Sequence, residues 1–384
     1  MKRSAGALAS LDGGLLTSVG LLLAIGVVML YSTTAPLSLG HPIPPHFARQ
    51  LGACVVALLL AGAAAVLPLS LWRRAALPLW GLSVGLLLLT DLFAPEVNGA
   101  RRWLSIPGLG TSFQPGELAK LTTLLAVSAA LADARGRGRL SPRGLMRPVL
   151  LIAAPALLLV RQPDLGGGVV LVLLGGLLVF VAGVPLRLLG LAGAAGAAVV
   201  GLFVALNPYA LRRVTGFLDP WARASDEGFQ LVQSFVAFGS GGLLGRGLGD
   251  GRQKLFYLPE AHTDFILSVV AEEIGLLGVL LVLGGFAALL VAGLRIAGRA
   301  RDPFAVLTGF AMTMLLTVPA AVNAGVVMGV LPTKGLALPF LSYGRTSLLV
   351  SFLAVGVLLG IGRAGARPRR AARAWIAWRR RGPR

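Results

Sequence analysis

Charged residues are scarce in this sequence. They make up 13% of its 384 residues, whereas 56% are hydrophobic. A soluble domain would carry about a quarter charged residues, so an ordinary water-soluble enzyme is excluded. A disordered chain is excluded as well, because such chains are poor in apolar residues. Acidic residues are the scarcest charged group, 15 against 35 Lys and Arg, which gives a net charge of +20. In a soluble protein that excess would indicate nucleic-acid binding, but here the charges fall between apolar runs.

Cysteine and histidine are also nearly missing. The single cysteine, Cys54, excludes an internal disulfide and lies in an apolar run, as a small buried hydrophobic residue would. The three histidines show no His-Glu-x-x-His spacing, and the sequence has no Walker pattern. The sequence therefore gives little support to a thiol nucleophile, a zinc-protease site or a nucleotide-binding loop.

Long apolar runs dominate what is present. A helix needs about 20 apolar residues to cross a bilayer, and backbone polar groups that face lipid must be paired within the segment, so these runs should be helices. The pattern predicts an all-α polytopic membrane protein with about ten transmembrane helices. The predicted spans are 14–32, 47–68, 75–93, 115–132, 147–160, 166–184, 187–206, 265–294, 304–329 and 342–362.

Lys and Arg between the runs predict the orientation, because short cytoplasmic loops are enriched in these residues. With both termini in the cytoplasm, most of them fall on the cytoplasmic side. The stretch 207–262 is then a long extracytoplasmic loop between helices 7 and 8 of a single membrane domain, 1–362. The arginine-rich tail, 363–384, is expected to lie on anionic membrane lipid. The first run is interpreted as a retained span rather than a cleaved signal peptide.

Basic residues on the predicted outer side suggest an anionic ligand. Arg213, Arg246 and Lys254 lie in the long loop, and Arg102 lies in a shorter one. Long loops tolerate positive charge on either side of a membrane, so tolerance is the alternative to a phosphate-bearing substrate. The glycine-rich stretch 240–251 also has two interpretations, a backbone nest for an anion or simple flexibility.

Carboxylates near the membrane boundary are the strongest candidates for chemistry, because charged groups in a bilayer are costly and usually functional. Glu117 and Lys120 stand at i and i+3 and can pair, either structurally or within a site. Asp264 lies at the outer mouth of span 265–294, where it is either a general base or a helix cap. His262 either orients this loop or packs within it.

Several sequence blocks, in a fixed order, resemble the SEDS proteins of cell shape, elongation, division and sporulation, which include FtsW and RodA. The blocks are Asn98-Gly-Ala-Arg-Arg-Trp-Leu104, Phe113-Gln-Pro-Gly-Glu-Leu-Ala-Lys120, Gln162-Pro-Asp-Leu-Gly166, Tyr257-Leu-Pro-Glu-Ala-His-Thr-Asp-Phe-Ile266 with Glu272-Glu273-Ile-Gly275, and Leu331-Pro-Thr-Lys-Gly-Leu-Ala-Leu-Pro-Phe-Leu-Ser-Tyr-Gly344. The form Pro332-Thr-Lys-Gly335 favours the cell-division branch, since the elongation branch more often reads Pro-Val-Thr-Gly. Gly116, where Ser is common, and Arg345-Thr346, where Gly-Ser is frequent, depart from the usual pattern.

The resemblance implies a peptidoglycan glycosyltransferase that joins lipid II into β-1,4-linked glycan strands outside the membrane and releases undecaprenyl pyrophosphate. It assigns the family's essential loop aspartate to Asp264. The Glu and Lys of the second block correspond to Glu117 and Lys120, and the Arg before Trp corresponds to Arg102. The implied partners are a class B penicillin-binding transpeptidase and other divisome or elongasome proteins.

The mechanism expected from this resemblance is an inverting displacement with Asp264 as general base. Arg102, Arg213, Arg246 and Lys254 are the candidates to stabilise the departing pyrophosphate. A divalent cation, Mg²⁺ or Mn²⁺, is left open, because the sequence has no Asp-x-Asp motif. A lipid II flippase and a non-catalytic divisome scaffold are the alternatives. The polar candidates crowd the outer half, which favours the enzyme.

Overall fold

The computed structural model describes residues 12–38, 43–97, 99–106, 111–136 and 142–366. Asn98 of the first family block and most of the predicted basic tail, from residue 367 on, lie outside this range. The α-helices of the described residues are α1 (Gly13–Thr34), α2 (Pro45–Val66), α3 (Leu69–Phe93), α4 (Pro115–Gly136), α5 (Pro142–Arg161), α6 (Leu165–Val181), α7 (Leu186–Leu206), α8 (Pro208–Leu218), α9 (Phe229–Gly241), α10 (Ile266–Glu273), α11 (Gly275–Arg299), α12 (Pro303–Val327) and α13 (Arg345–Ala366).

The prediction of an all-α membrane protein is confirmed. Eight of these helices are long and apolar enough to cross a membrane, namely α1, α2, α3, α5, α7, α11, α12 and α13. The other two predicted spans are helical as well: α4 carries charged residues near both ends, and α6 has only 17 residues. The count of ten spans stays a prediction. A two-stranded antiparallel hairpin, Leu104–Ile106 with Thr111–Phe113, interrupts the helices before α4.

Helix α12 forms the centre of the packing. It is the most buried of the eight candidate spans and contacts α4, α6, α11 and α13. Helix α7 is the opposite case, because none of its most apolar window is buried within the chain. A helix that is apolar all round and unburied is stable only in an apolar solvent, so α7 has the surface of a lipid-facing span.

The apolar run predicted as one span, 265–294, is two helices in the structure. Helix α10 ends at Glu273 and α11 begins at Gly275. The N–H groups of Leu276 and Leu277 donate to the carbonyls of Gly242 and Leu243, at 2.9 and 3.3 Å, instead of continuing the helix. Hydropathy could not show this break, since both pieces are apolar.

The stretch predicted as a long loop, 207–262, also contains regular structure. It holds α8, which is amphipathic, and α9, followed by a π-helical turn, Gln253–Tyr257. These helices are short and interrupted by glycines and polar residues, so neither gives the signal of a membrane span.

Candidate functional site

Charged side chains from separate parts of the chain converge near the start of α10. Arg102 precedes the hairpin, Lys120 lies in the first turns of α4, and Asp164 caps α6. Lys334 comes from the segment between α12 and α13, and Asp264 comes from the turn before α10. We call these five residues the charged cluster. Electrostatic interactions link all of them: Arg102 and Lys334 act on both carboxylates, and Lys120 acts on Lys334.

The backbone of Asp264 is fixed by hydrogen bonds. Its N–H donates to the carbonyl of Glu260 at 3.1 Å, and its carbonyl accepts from Asn323 Nδ2 at 2.7 Å. Asn323 also donates to the carbonyl of Leu336, at 2.7 Å, and so ties the segment after α12 to the same turn. The helix-cap alternative is not observed, because the N-cap of α10 is Phe265 and no side chain caps that helix.

The carboxyl group of Asp264 has a raised pKa. Burial and the nearby charge of Glu260 raise its pKa, while the charges of Lys334, Arg102 and Arg213 lower it, and the net effect raises the pKa of Asp264 to about 7. A general base works best when its pKa lies near the operating pH. This carboxyl group is therefore poised to accept a proton at neutral pH.

Lys334 binds the second carboxylate of the cluster. Its Nζ donates to Asp164 Oδ1 at 3.0 Å, and the same oxygen accepts the N–H of Gly167 at 3.1 Å as the cap of α6. Burial raises the pKa of Asp164, but Lys334 and Arg102 more than offset this and hold it below its usual range. Burial also lowers the pKa of Lys334, which Asp164 partly counteracts. The Lys334 side chain lies so close to Gly166 that a Cβ there would collide with it.

Arg102 is held by backbone carbonyls. Its Nε donates to the carbonyl of Gln162 at 3.3 Å, and its Nη2 donates to the carbonyl of Pro163. Gln162 is itself buried and donates through Nε2 to the carbonyl of Leu87 at 2.7 Å. The family block that begins at Gln162 therefore supports both Arg102 and, through Asp164, Lys334.

Glu117 and Lys120 form the ion pair expected from their spacing, with Lys120 Nζ 2.7 Å from Glu117 Oε1. The lysine is buried, and its charge lowers the pKa of Lys334. Glu117 is therefore tied to the charged cluster through Lys120, on the α4 side.

Two predicted substrate-binding residues have their contacts elsewhere. Arg246 is exposed, and its Nε reaches the carbonyl of Ser240 at 3.4 Å. Lys254 is buried, and its Nζ contacts Ser32 Oγ, the carbonyl of Gly249 and Glu273 Oε1, each at 2.7 Å. The ammonium group of Lys254 is therefore bonded to groups of the protein itself, on α1, on α10 and in its own loop, and not to the charged cluster.

The glycine-rich stretch 240–251 leads into a nest that the chain's own carboxylates occupy. Glu273 Oε2 accepts the N–H of Gly249 at 3.0 Å, and Glu272 accepts the N–H groups of Arg252 and Gln253 at 2.9 and 3.0 Å. The predicted backbone nest exists in this form, with an internal anion in place of a ligand.

His262 belongs to a ring cluster beside the Asp264 turn. Its ring centroid lies 5.9 Å from that of His46 and 5.7 Å from that of Tyr343, and its carbonyl accepts the N–H of Tyr343 at 2.8 Å. Burial lowers the pKa of His262, although Glu260 opposes this effect. A neutral imidazole that packs the turn fits the orienting role better than a charged ligand contact.

Lys334 and Asp164 are the functional candidates that sequence reasoning did not select as site residues. Both lie in family blocks, Pro332-Thr-Lys-Gly335 and Gln162-Pro-Asp-Leu-Gly166. The blocks marked these positions, but nothing in the sequence indicates that the two side chains meet in the charged cluster. No group of three or more His, Cys, Asp or Glu able to hold a metal ion occurs among the described residues. The involvement of Mg²⁺ or Mn²⁺ stays an open prediction.

Comparison with known proteins identifies the family. The family model described as "Cell cycle protein", for FtsW, RodA and SpoVE, matches residues 14–366. The chain belongs to this FtsW, RodA and SpoVE family. The resemblance inferred from the sequence blocks is therefore confirmed.

Curated relatives of the chain include FtsW proteins. The probable peptidoglycan glycosyltransferase FtsW of Geobacter sulfurreducens is 39% identical over 348 residues, which cover 88% of this chain and 92% of that protein. The protein of the same name from Coxiella burnetii is 39% identical over 348 residues, covering 88% and 93%. These relatives agree with the cell-division branch favoured by the Pro332-Thr-Lys-Gly335 form.

Solved structures of related proteins share the fold. A chain from a peptidoglycan synthase complex that coordinates polymerization and crosslinking matches with a TM-score of 0.76 and 33% identity, over 93% of this chain and 99% of that chain. The rod shape determining protein RodA of Thermus thermophilus matches with a TM-score of 0.69 and 32% identity, over 93% and 98%.

Proposed function

We propose that this family member is a peptidoglycan glycosyltransferase that polymerises lipid II into β-1,4-linked glycan strands and releases undecaprenyl pyrophosphate. The observation that carries the proposal is the Asp264 carboxyl group, whose pKa lies at about 7 in the electrostatic field of Arg102, Arg213 and Lys334. A base and a set of cations in one place are what a sugar transfer from a diphosphate requires. The names of the FtsW relatives support the same reaction class.

In the bond-forming step Asp264 accepts the proton of the acceptor sugar's 4-hydroxyl group. That oxygen attacks C1 of the lipid-linked donor sugar, and the bond from C1 to the phosphate oxygen breaks. An α-linked phosphate becomes a β-glycoside, so the reaction inverts C1 and needs one base and no covalent intermediate. The proton ends on Asp264 and the negative charge ends on the pyrophosphate. A positioned base typically contributes a factor of about 10² to 10⁴ in rate.

The departing pyrophosphate needs cations that are fixed and available. Arg102 is fixed, because two backbone carbonyls orient its guanidinium group within the charged cluster. Arg213, which is exposed on α8, adds a second guanidinium whose charge reaches Asp264. Guanidinium groups bind phosphate oxygens in a bidentate manner. Lys334 is already shared with Asp164 and serves as a positioning residue that tunes Asp264.

The proposed location is the bacterial cytoplasmic membrane, with both termini in the cytoplasm and the charged cluster facing the exterior. The apolar helices and the family assignment support the membrane location. A class B penicillin-binding transpeptidase is the proposed partner, because a strand that has been polymerised must be crosslinked. The similar chain from a peptidoglycan synthase complex supports this pairing.

Purified protein and labelled lipid II provide the test, with and without a class B penicillin-binding protein. Asp264→Asn should yield no glycan polymer and should still fold. Asp226→Asn, which alters an exposed carboxylate between α8 and α9, is the matched control and should retain activity. Glycan polymer from the Asp264→Asn variant would contradict the proposal. Leaflet exchange of lipid II without polymer would identify a flippase, and neither activity would identify a scaffold.

A further inference from the structure

A cavity in the described part of the chain lies away from the charged cluster. It has a volume of about 440 Å³ and lies between α3, α4 and α5. Its lining residues are Ser70, Arg73, Arg74, Leu77, Ala126, Ala129, Asp133 and Arg147. Lys120 and Asp133 lie 13 residues apart on α4, which corresponds to about 20 Å along a helix. The cavity is therefore at the opposite end of α4 from the proposed active site.

Positive charge in this cavity exceeds what the chain itself neutralises. Arg73 forms an ion pair with Asp133. All 15 acidic residues of the chain lie in its described part, and none of them forms an ion pair with Arg74 or Arg147. Two uncompensated guanidinium groups therefore face the same space. A bias of Lys and Arg toward one side of the membrane explains their number, but it does not explain their convergence on one cavity.

The start of α3 adds to the attraction for an anion. Helix α3 begins at Leu69 after Pro68, and no side chain caps its first turn. Ser70, in that turn, lines the cavity. The N–H groups of a first helical turn point toward the N-terminus and favour negative charge.

The cavity is charged at one end and apolar at the other. Along α3 the lining passes from Arg73 and Arg74 to Leu77, and along the neighbouring α4 it passes in the reverse direction from Asp133 to Ala129 and Ala126. The alanine side chains leave room beside the helices, and Leu77 is 45% exposed. A ligand that matches this gradient has an anionic head and an apolar chain.

We propose that this cavity binds one anionic phospholipid. The phosphodiester lies between Arg74 and Arg147, and an acyl chain runs over Leu77 and Ala126. In the orientation proposed above, this end of the helices faces the inner leaflet. A phospholipid and a free phosphate ion both offer a phosphate group to the two arginines. A free phosphate ion, however, would leave the apolar end of the cavity empty. The site is separate from the charged cluster, so it holds whether or not Asp264 is the catalytic base.

Native mass spectrometry of the full-length protein tests the proposal, with phosphatidylglycerol, phosphatidylethanolamine and chain-free glycerophosphoglycerol as probes. Phosphatidylglycerol should be retained in preference to the other two. Each arginine near a membrane surface contributes about 1 kcal/mol to the attraction for anionic lipid, so Arg74→Gln with Arg147→Gln should weaken retention by about tenfold or more. Arg295→Gln with Arg301→Gln, at two exposed arginines outside this cavity, is the matched control.

Equal loss of lipid in both double variants would overturn the proposal, because it would show a general charge effect. Unchanged retention in the cavity variant would also overturn it. Equally strong binding of glycerophosphoglycerol would show a phosphate site that makes no use of the apolar end. Thermal unfolding of each variant confirms that the protein being measured is folded.

Discussion

Lys334 connects the two carboxylates of the charged cluster. Its Nζ donates to Asp164 Oδ1 at 3.0 Å, and its charge lowers the pKa of Asp264. Asp164 is also the N-cap of α6. The position of Lys334, whose charge lowers the pKa of Asp264, therefore depends on the residue that begins α6. A Cβ at residue 166 would collide with Lys334 Cδ, so the glycine leaves room for this path of the lysine side chain to Asp164.

Replacing Lys334 should move the pH dependence of polymerisation upward. The base must be ionised to accept a proton, and the positive charge of Lys334 favours the ionised form of Asp264. Lys334→Gln removes that charge, so the pKa of Asp264 rises further and the rising limb of the profile shifts to higher pH. The rate of lipid II polymerisation across the neutral range is the measurement. Arg223→Gln, at an exposed arginine between α8 and α9, should leave the profile in place.

Replacing Glu260 should have the opposite effect. Its negative charge is the second cause, after burial, of the raised pKa of Asp264. Glu260→Gln removes the charge but keeps an acceptor for Thr263 Oγ1, which lies 2.9 Å from the carboxylate. The rising limb should therefore move to lower pH in the same polymerisation assay. A shift in the same direction as Lys334→Gln would show that these charges do not act through Asp264.

Local patterns in the sequence predicted local parts of the site. The pairing of Glu117 with Lys120 follows from one helix and a spacing of three residues. Lys334 and Asp164 are 170 residues apart, and nothing short of the folded chain brings them together. The burial of Lys254 could not be predicted from the sequence either. A lysine in a polar stretch is expected at the surface, and its partner Glu273 is identified only by the folded structure. Family blocks also selected Arg102 and Asp264 as candidates, but the reason for their proximity is tertiary.

A methyl group at residue 335 should block catalysis without unfolding the protein. The Cβ of an alanine at Gly335 would collide with Asp264 Oδ2. Gly335→Ala should therefore displace the carboxylate and reduce polymerisation strongly. In Gly344→Ala the new Cβ would meet Ser347 and Ala337 at 3.6 and 3.9 Å, ordinary contact distances, so this variant of the same segment should remain active. Full activity of Gly335→Ala would show that the close approach is not needed.

The Lys254 ion pair should matter for stability. Both side chains are buried, and Lys254 Nζ lies 2.7 Å from Glu273 Oε1. Breaking a buried pair from one side costs about 3 to 5 kcal/mol, because the remaining charge is left unpaired. Lys254→Met should lower the unfolding temperature, and the double variant with Glu273→Gln should recover part of the loss. Arg252→Met, at the exposed neighbour, should have little effect.

Asp264 should destabilise the folded protein at high pH. Its pKa is raised from 3.8 to about 7 in the folded state, so folding favours the protonated form. The resulting stabilisation is present below the unfolded value and is lost as the pH rises through the folded value. Asn imitates the neutral carboxyl group at every pH. Asp264→Asn should thus unfold at a higher temperature than the parent above pH 7, and the gap should close as the pH falls toward 3.8. All other titrating groups are common to both proteins, so thermal unfolding at the two ends of this window isolates Asp264. A gap that does not change with pH would contradict the raised pKa, and Asp226→Asn should show no such gap.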